Sequence, residues 1–238
     1  VVVTIWLMEL NWIFYFYYIL TAEFISLIVR LNDNFYVLRS FRFNLEYEYL
    51  IDLLKYGAPL FVLLIAGWSL NNIDRLIVLK FFDLNEDAHY TLAYQLGLSV
   101  NLINQAITNS IVPNVYDSLN RKLNTQKLLN KYLLIYFVSI SFIILIASVM
   151  FYYLIPIIFG STYKDSITVT ILVSVAFGFG GIYRIPVLVI SFYKKNNLKT
   201  LLTVIAAISN LIISLYFIDS LGVLSPATGT IIAYFILS

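Results

Sequence analysis

The sequence predicts an all-α protein: a polytopic transmembrane helix bundle of about six to seven spans. Of its 238 residues, 61% are hydrophobic and 12% are charged, whereas a soluble domain is about half apolar and a quarter charged. Apolar runs recur at the roughly 20-residue length that a membrane-spanning helix needs. These runs are apolar on every face, which favours helices over the alternating strands of a barrel.

The candidate spans divide the chain into three parts. Residues 1–30 are the end of an N-terminal lobe with about one transmembrane helix, residues 31–56 are a cytoplasmic loop, and residues 57–238 are a C-terminal transmembrane lobe. The predicted spans are 11–30, 57–79, 88–115, 130–158, 166–193, 199–218 and 223–238. The first residue is Val1 and the last apolar run stops at Ser238, so we expect an internal to C-terminal piece of a longer protein with its last helix truncated.

Basic residues predict the orientation of these spans, because cytoplasmic loops carry an excess of Lys and Arg. Eleven of the fifteen basic residues fall after the first, third and fifth spans, and only Lys80 and Lys164 fall in the alternate loops. Loops 31–56, 116–131 and 194–199 are therefore predicted to be cytoplasmic. The segment 41–56 is amphipathic, which fits an interfacial helix or an ordinary solvated linker.

Composition also excludes several kinds of site. The chain has no Cys, so disulfides, thiolate metal sites and Cys catalysis are excluded. It has one His, His89, which we expect to be solvated, and it carries no motif of paired catalytic carboxylates. A net charge of +2 does not indicate a nucleic-acid partner. We therefore expect no cofactor, no metal, no catalytic residue and no nucleic acid.

Polar residues interrupt the second predicted span at residues 71–75, NNIDR. Trp68, Asn71 and Arg75 share one helical face, and Asp74 lies at its margin. A charge at the centre of a bilayer costs about 2.5–3.5 kcal/mol on insertion scales. Arg75 is therefore either a cation that lines a cavity and meets an anionic ligand, or a side chain that snorkels to the outer interface with Asp74 as its partner.

A polar stripe follows on the third predicted span. Asn101, Asn104, Gln105 and Thr108 lie near one line along the helix, with Tyr94 and Gly97 on the same line. Such a stripe indicates either a hydrated lumen or hydrogen bonds to an equally polar neighbouring helix.

The fifth predicted span contains FGFGGIYRIP at residues 177–186. Pro186 removes a backbone hydrogen bond one turn upstream, and Arg184 lies just before it. Glycines and a proline favour either a broken helix that lines a cavity, as in transporters, or close packing of helices through glycine.

Several stretches together resemble the polysaccharide-export family of membrane proteins, which includes the O-antigen flippases of the multidrug/oligosaccharidyl-lipid/polysaccharide exporter superfamily. They are LLKYGAPLFVLLIAGWSLNNIDRLIVLKFF at 53–82, AYQLGLSVNLINQAI at 93–107, FGSTYKDS at 159–166 and the last two helices at 193–237 with Asn210. The chain has Ser225-Pro226-Ala227 where the family tends to have Gly-Ala-Ala. No single motif is specific, but their order and spacing cover most of the chain.

The resemblance implies about twelve helices in two six-helix lobes, with this chain running from the sixth helix into the twelfth. It implies a flippase of the bacterial cytoplasmic (inner) membrane that moves an undecaprenyl-diphosphate-linked oligosaccharide, such as an O-antigen repeat unit of lipopolysaccharide, to the periplasmic leaflet by alternating access. Membrane lipids, a polysaccharide polymerase and chain-length machinery are the further partners it suggests.

Within that hypothesis, we assign Arg75 and Arg184 to the anion and Asp74 to orienting Arg75. Cavity-lining contacts to sugar or water are assigned to Trp68, Asn71, Asn101, Asn104, Gln105 and Thr108. A multidrug exporter of the same superfamily is the alternative, although it would favour acids in the cavity. A polysaccharide polymerase would need a long outer loop, whereas the outer loops here have about a dozen residues or fewer. A non-transporting assembly scaffold would instead be a dry, tightly packed bundle.

Overall fold

The computed structural model describes residues 12–33, 47–121 and 125–238. These residues form helices, and none of them forms a strand, which confirms the predicted all-α membrane bundle. The chain divides into two compact units, Val1–Asp52 and Leu53–Ser238. Residues 34–46, which hold half of the predicted cytoplasmic loop and the start of its amphipathic segment, lie outside the described residues.

The first two helices are α1, Trp12–Asp33, and α2, Tyr47–Phe81. Helix α1 coincides with the first predicted span, 11–30. Helix α2 is continuous from the amphipathic segment through the second span and contains Pro59. From Tyr47 onward, the predicted amphipathic helix therefore leads directly into the second span, because no strong helix breaker lies between residues 47 and 58 and Gly57 alone does not end a helix.

The remaining elements follow with short connections. They are α3 Leu84–Asn120, α4 Thr125–Ile158, a 3₁₀-helix Ser161–Asp165, α5 Ser166–Phe192, α6 Asn196–Tyr216, α7 Ile218–Leu221 and α8 Leu224–Leu237. Helix α3 begins after Asp83, whose side chain accepts a hydrogen bond from the Glu86 backbone N–H at 2.8 Å, as a helix N-cap does. A turn with Gly160 at φ 91° separates α4 from the 3₁₀-helix.

The predicted cytoplasmic loop 116–131 is mostly helical instead. Helix α3 continues to Asn120 and α4 begins at Thr125. Helix α3 has 37 residues, or about 55 Å at 1.5 Å per residue, so it is much longer than the roughly 30 Å hydrocarbon core of a membrane. An ion pair of 2.8 Å between Arg121 and Asp117 joins neighbouring turns at its end.

Among the described residues, four helices are long and apolar enough to cross a membrane: Tyr49–Phe81, Gln126–Ile158, Ser161–Phe192 and Asn196–Tyr216. They match the second, fourth, fifth and sixth predicted spans. Helix α3, at the third predicted span, is long enough to cross a membrane. It is not one of these four helices, because its polar stripe lowers its hydropathy. Helix α8 is a shorter apolar helix of 14 residues.

Helix α5 lies at the centre of the second unit and packs against α3, α4, α6 and α8. It is unbroken through Pro186, so the broken helix is not observed and its glycines serve close packing. A Cβ at Gly178 would lie 2.5 Å from Ile144 Cδ1 of α4. Likewise, a Cβ at Gly97 of α3 would lie 2.7 Å from Val173 Cγ1 of α5.

Helix α8 packs closely from its first turn. Ser225 and Ala227 are fully buried, and Ser225 Oγ donates a hydrogen bond of 2.6 Å to the Ser214 backbone carbonyl of α6. The small residues Ser225-Pro226-Ala227 therefore allow α8 to approach α6 closely at its first turn.

Candidate functional site

Arg75 of α2 lies half-buried against an aromatic ring of α3. Its guanidinium carbon is 4.6 Å from the centroid of the Tyr94 ring, which is within the range of a cation–π contact. Its Nε atom is buried and has no hydrogen-bond partner. The Arg75 guanidinium thus lies against the face of the Tyr94 ring, and its Nε–H group is not used in a hydrogen bond.

Asp74, the neighbouring residue, does not pair with Arg75. Successive residues on a helix point about 100° apart, and this turn directs Asp74 into the bundle, where it is fully buried. Its carboxyl group accepts hydrogen bonds from Tyr90 Oη at 3.2 Å and Asn210 Nδ2 at 3.0 Å, and it also contacts Thr230 Oγ1. The predicted role of Asp74 as the ion-pair partner of Arg75 has no direct contact to support it.

Asn71 joins α2 to two tyrosines. Its Oδ1 accepts hydrogen bonds from Tyr234 Oη at 3.0 Å and Tyr94 Oη at 3.4 Å. Trp68, predicted on the same face, is instead 58% exposed. Trp68 is therefore free to contact a molecule outside the bundle, whereas Asn71 is occupied by its tyrosine contacts.

The polar stripe of α3 divides into a buried and an open part. Asn104 and Thr108 are buried; Asn104 Nδ2 donates a hydrogen bond of 2.7 Å to the Phe177 carbonyl of α5. Gln105 is exposed and Asn101 is half-buried. The stripe thus forms a hydrogen bond between helices at Asn104, and it leaves Asn101 and Gln105 at least partly exposed.

Arg184 of α5 reaches this open part. Its Nη2 donates a hydrogen bond of 2.8 Å to Asn101 Oδ1. The Arg75 contact at Tyr94 and the Arg184 contact at Asn101 are seven residues apart on α3, which is about 10 Å along the helix axis. The structure thus brings both predicted anion-binding residues against one helix.

Two further polar atoms are buried without a hydrogen-bond partner where α3, α4 and α5 meet: Asn104 Oδ1 and Tyr136 Oη. Both side chains lie close to Gly181, where a Cβ would be 2.1 Å from Tyr136 Oη and 2.8 Å from Asn104 Cγ. Sequence reasoning missed Tyr136, Tyr90 and Thr230. For Tyr136 and Thr230, the available signal is a polar group on an otherwise apolar helix, whereas Tyr90 lies among other polar residues of α3.

A cavity of about 360 Å³ lies at the end of the second unit that the charge pattern predicts to be outside. Its lining includes Glu86, His89, Tyr90, Lys164 and Asp165. His89 is only 9% exposed, and its ring stacks on Tyr163 with centroids 4.6 Å apart. The expectation that His89 is solvated is therefore wrong, because the 3₁₀-helix covers it.

No group of three His, Asp or Glu side chains that could hold a metal ion occurs within residues 12–33, 47–121 and 125–238. Apart from the charged residues that line the outer cavity, the polar groups described above are isolated charges, amides and hydroxyls between helices. This arrangement is suited to binding a polar molecule between helices.

Comparison with known proteins identifies the family. A family model described as "Polysaccharide biosynthesis protein" matches residues 12–168, which is more than half of the chain. Comparisons with curated proteins and with solved structures give no match. The matched range includes Arg75, Asp74 and the whole polar stripe. The chain therefore belongs to the polysaccharide biosynthesis protein family of membrane proteins.

Proposed function

We propose that this chain is part of a flippase that moves an undecaprenyl-diphosphate-linked oligosaccharide from the cytoplasmic to the periplasmic leaflet by alternating access. A role in polysaccharide synthesis or export follows from the family. Such a substrate carries two poorly membrane-soluble parts, a diphosphate and a sugar chain, so its transporter needs cationic and hydrogen-bonding groups between apolar helices.

The observation that carries the proposal is the pair of arginines without an acidic partner. Arg75 is held by the ring of Tyr94, and Arg184 by the amide of Asn101. In the part of the chain that the structure describes, neither guanidinium has a carboxylate within 4.0 Å. Both lie on helices apolar enough to span a membrane, where a charge without an ion-pair partner is costly. A diphosphate would supply the missing negative charge.

Neutral groups near the arginines fit the sugar. Gln105 and Trp68 are exposed, and an amide can bond sugar hydroxyls while an indole ring covers the apolar face of a sugar. Asn101 is half-buried and already oriented by Arg184. Asn104 shapes the pathway by fixing α3 to α5 through its hydrogen bond to the Phe177 carbonyl. Thr108 is also buried, and its hydroxyl donates within α3 to the Asn104 carbonyl.

A transporter accounts for these contacts better than the alternatives. A polymerase would need reacting groups on a long outer loop, whereas the connections after α2 and α4 are short. A cationic-drug exporter would favour acids in its cavity, whereas Asp74, the acid next to Arg75, is buried among hydrogen-bond donors. We place the protein in the bacterial cytoplasmic membrane as a multi-pass protein, with a polymerase and chain-length machinery as partners.

Arginine variants of the full-length protein test the proposal. We expect Arg75→Ala and Arg184→Ala to abolish surface glycan and to cause lipid-linked glycan to accumulate on the cytoplasmic side, because each removes a charge for the diphosphate. Arg121→Ala is the matched control, since Arg121 is exposed and paired with Asp117, and it should retain surface glycan. Expression and membrane insertion are measured by immunoblotting. Surface glycan at the wild-type level in both pathway variants would contradict the proposal.

A further inference from the structure

A pocket lies between α2 and the turn that joins α5 to α6. Its volume is about 330 Å³, which is within the range of ligand pockets, about 300–1,000 Å³. Three lysines line it, Lys55, Lys194 and Lys195, together with the amides of Asn196 and Asn197. No Asp or Glu is among the described residues of the lining. We call this cavity the basic pocket, and the proposed flippase pathway along α3 does not use it.

The basic pocket carries positive charge without a nearby acid. Its three lysines are exposed, and none of them is within 4.0 Å of a carboxylate among the described side chains. Residues 166–216, which span α5 and α6, contain no Asp or Glu. Helix α6 begins at Asn196 without an acidic residue in its first turn, so the positive end of its dipole adds to the same charge. An anion would offset this accumulation.

Lys194 has a backbone conformation that a lysine side chain disfavours. Its φ is 54°, and no other non-glycine residue in the described part of the chain has a positive φ. At the end of α5, its N–H bonds the Ser191 carbonyl and the Lys195 N–H bonds the Ile190 carbonyl, both at 3.0 Å. Glycine is usual at this position of a helix end. A lysine there costs stability, as is common where a strained residue has a function.

The proline of α2 leaves a hydrogen-bond acceptor beside the lysines. Pro59 has no N–H group, so the Lys55 carbonyl one turn before it receives no hydrogen bond from the helix. The Pro59 carbonyl accepts a hydrogen bond of 3.0 Å from Thr200 Oγ1 of α6, which joins the two walls of the pocket. With the two asparagine amides, the pocket therefore offers partners for hydroxyl groups next to its cations.

An exposed apolar stripe on α6 begins at the basic pocket. Leu198 lines the pocket, and exposed apolar side chains recur from it every three or four residues: Leu198, Leu201, Ile205, Ile208, Ile212 and Leu215. This spacing places them on one face of the helix. Helix α6 is long and apolar enough to cross a membrane. The stripe is therefore suited to acyl chains, with the pocket at the level of the lipid headgroups.

The charge of the pocket selects among lipid headgroups. Its lysines are in the loop 194–199 and at the start of α2, which are predicted to be cytoplasmic, and the cytoplasmic leaflet carries anionic lipids. A zwitterionic headgroup would bring an ammonium group, for which the pocket has no carboxylate. A headgroup of phosphate and glycerol brings one negative charge and two hydroxyl groups, which match the lysines and the hydrogen-bonding groups beside them.

We propose that the basic pocket binds the headgroup of an anionic phospholipid, phosphatidylglycerol, from the cytoplasmic leaflet. The phosphate lies among Lys55, Lys194 and Lys195. The glycerol hydroxyls meet the Lys55 carbonyl and the asparagine amides, and an acyl chain lies along the exposed stripe of α6. The bound lipid thereby ties the turn between α5 and α6 to α2.

Native mass spectrometry of the full-length protein in detergent measures this binding. Phosphatidylglycerol and phosphatidylcholine with the same acyl chains are titrated separately, and we expect phosphatidylglycerol to bind at least about tenfold more tightly. One lysine contributes about fivefold to the binding of anionic lipid, so Lys194→Gln/Lys195→Gln should weaken phosphatidylglycerol binding about 25-fold. Lys127→Gln/Lys131→Gln is the matched control, since both lysines are exposed on α4 and lie at the same predicted side. It should bind phosphatidylglycerol as wild type does.

Lys194→Gly separates lipid binding from folding. Glycine adopts a positive φ without strain, so this variant should unfold in lipid-free detergent at a temperature no lower than wild type. We nevertheless expect it to bind phosphatidylglycerol about fivefold more weakly, because one cation is lost. Weaker binding accompanied by a lower unfolding temperature would assign the effect to the fold and overturn the role of Lys194.

Four further results would overturn the proposal. Equal affinities for phosphatidylglycerol and phosphatidylcholine would show that charge does not select the lipid, and wild-type binding by Lys194→Gln/Lys195→Gln would place the lipid elsewhere. Glycerol phosphate that binds as tightly as phosphatidylglycerol would assign the pocket to a soluble anion. Undecaprenyl diphosphate that displaces phosphatidylglycerol would assign it to the carrier of the proposed substrate. The surface-glycan test of Arg75 and Arg184 is independent of all four results.

Discussion

At Gly181, the close packing of helices beside the candidate pathway predicts how much a substitution lowers the unfolding free energy. It lies in α5 beside two buried side chains, and a Cβ would be 2.1 Å from Tyr136 Oη and 2.8 Å from Asn104 Cγ and Nδ2. The Asn104 side chain cannot move away from this Cβ without losing its hydrogen bond, because its Nδ2 donates to the Phe177 carbonyl. Tyr136 is 1% exposed, so its ring is surrounded on all sides.

The expected change in unfolding free energy for Gly181→Ala is the sum of three contributions. Overpacking a well-packed interior costs about 1–3 kcal/mol, and loss of the Asn104 hydrogen bond costs about 1 kcal/mol. Replacing a helical Gly by Ala returns about 1 kcal/mol of helix propensity. We therefore expect the variant to lose about 1–3 kcal/mol of unfolding free energy.

Gly67→Ala is the matched control. Gly67 lies in α2, and a Cβ there would meet nothing within 4 Å, so only the helix-propensity gain of about 1 kcal/mol applies. Denaturant or thermal unfolding of the full-length protein in one detergent, followed by circular dichroism, measures both variants. Gly181→Ala as stable as Gly67→Ala would refute the close approach of α3, α4 and α5 at this glycine.

Two further predictions concern the polar stripe of α3 and the packing of α6 on α8. Cysteine at Asn101 and Gln105 should react with a membrane-impermeant thiol reagent, whereas cysteine at the buried Asn104 should be protected. Protection at all three positions would show that the stripe faces lipid or protein rather than water. Gly229→Ala should destabilise the protein by about 1–3 kcal/mol, because its Cβ would lie 2.3 Å from Ser214 Oγ. An unchanged unfolding free energy would contradict the close packing of α6 on α8.

The sequence alone determined the class of protein and the order of its helices. Hydropathy and helix length are local properties, so the apolar runs located helices α2, α4, α5 and α6 without any knowledge of packing. Loop boundaries were less well predicted, because helices α3 and α4 continue beyond the membrane thickness and no proline or glycine stops them near Asn120. The sequence also did not decide whether the glycines of α5 break the helix or allow close packing, since the same residues favour both structures.

The tertiary structure decided which polar residues meet. Asp74 and Arg75 are neighbours in sequence, and sequence reasoning paired them, but a rotation of about 100° per residue sends them to different partners. Asp74 contacts Asn210 and Thr230, which are 136 and 156 residues away in the chain. Periodicity places a residue on a face of its own helix, whereas the packing of the helices determines which distant side chain that face meets.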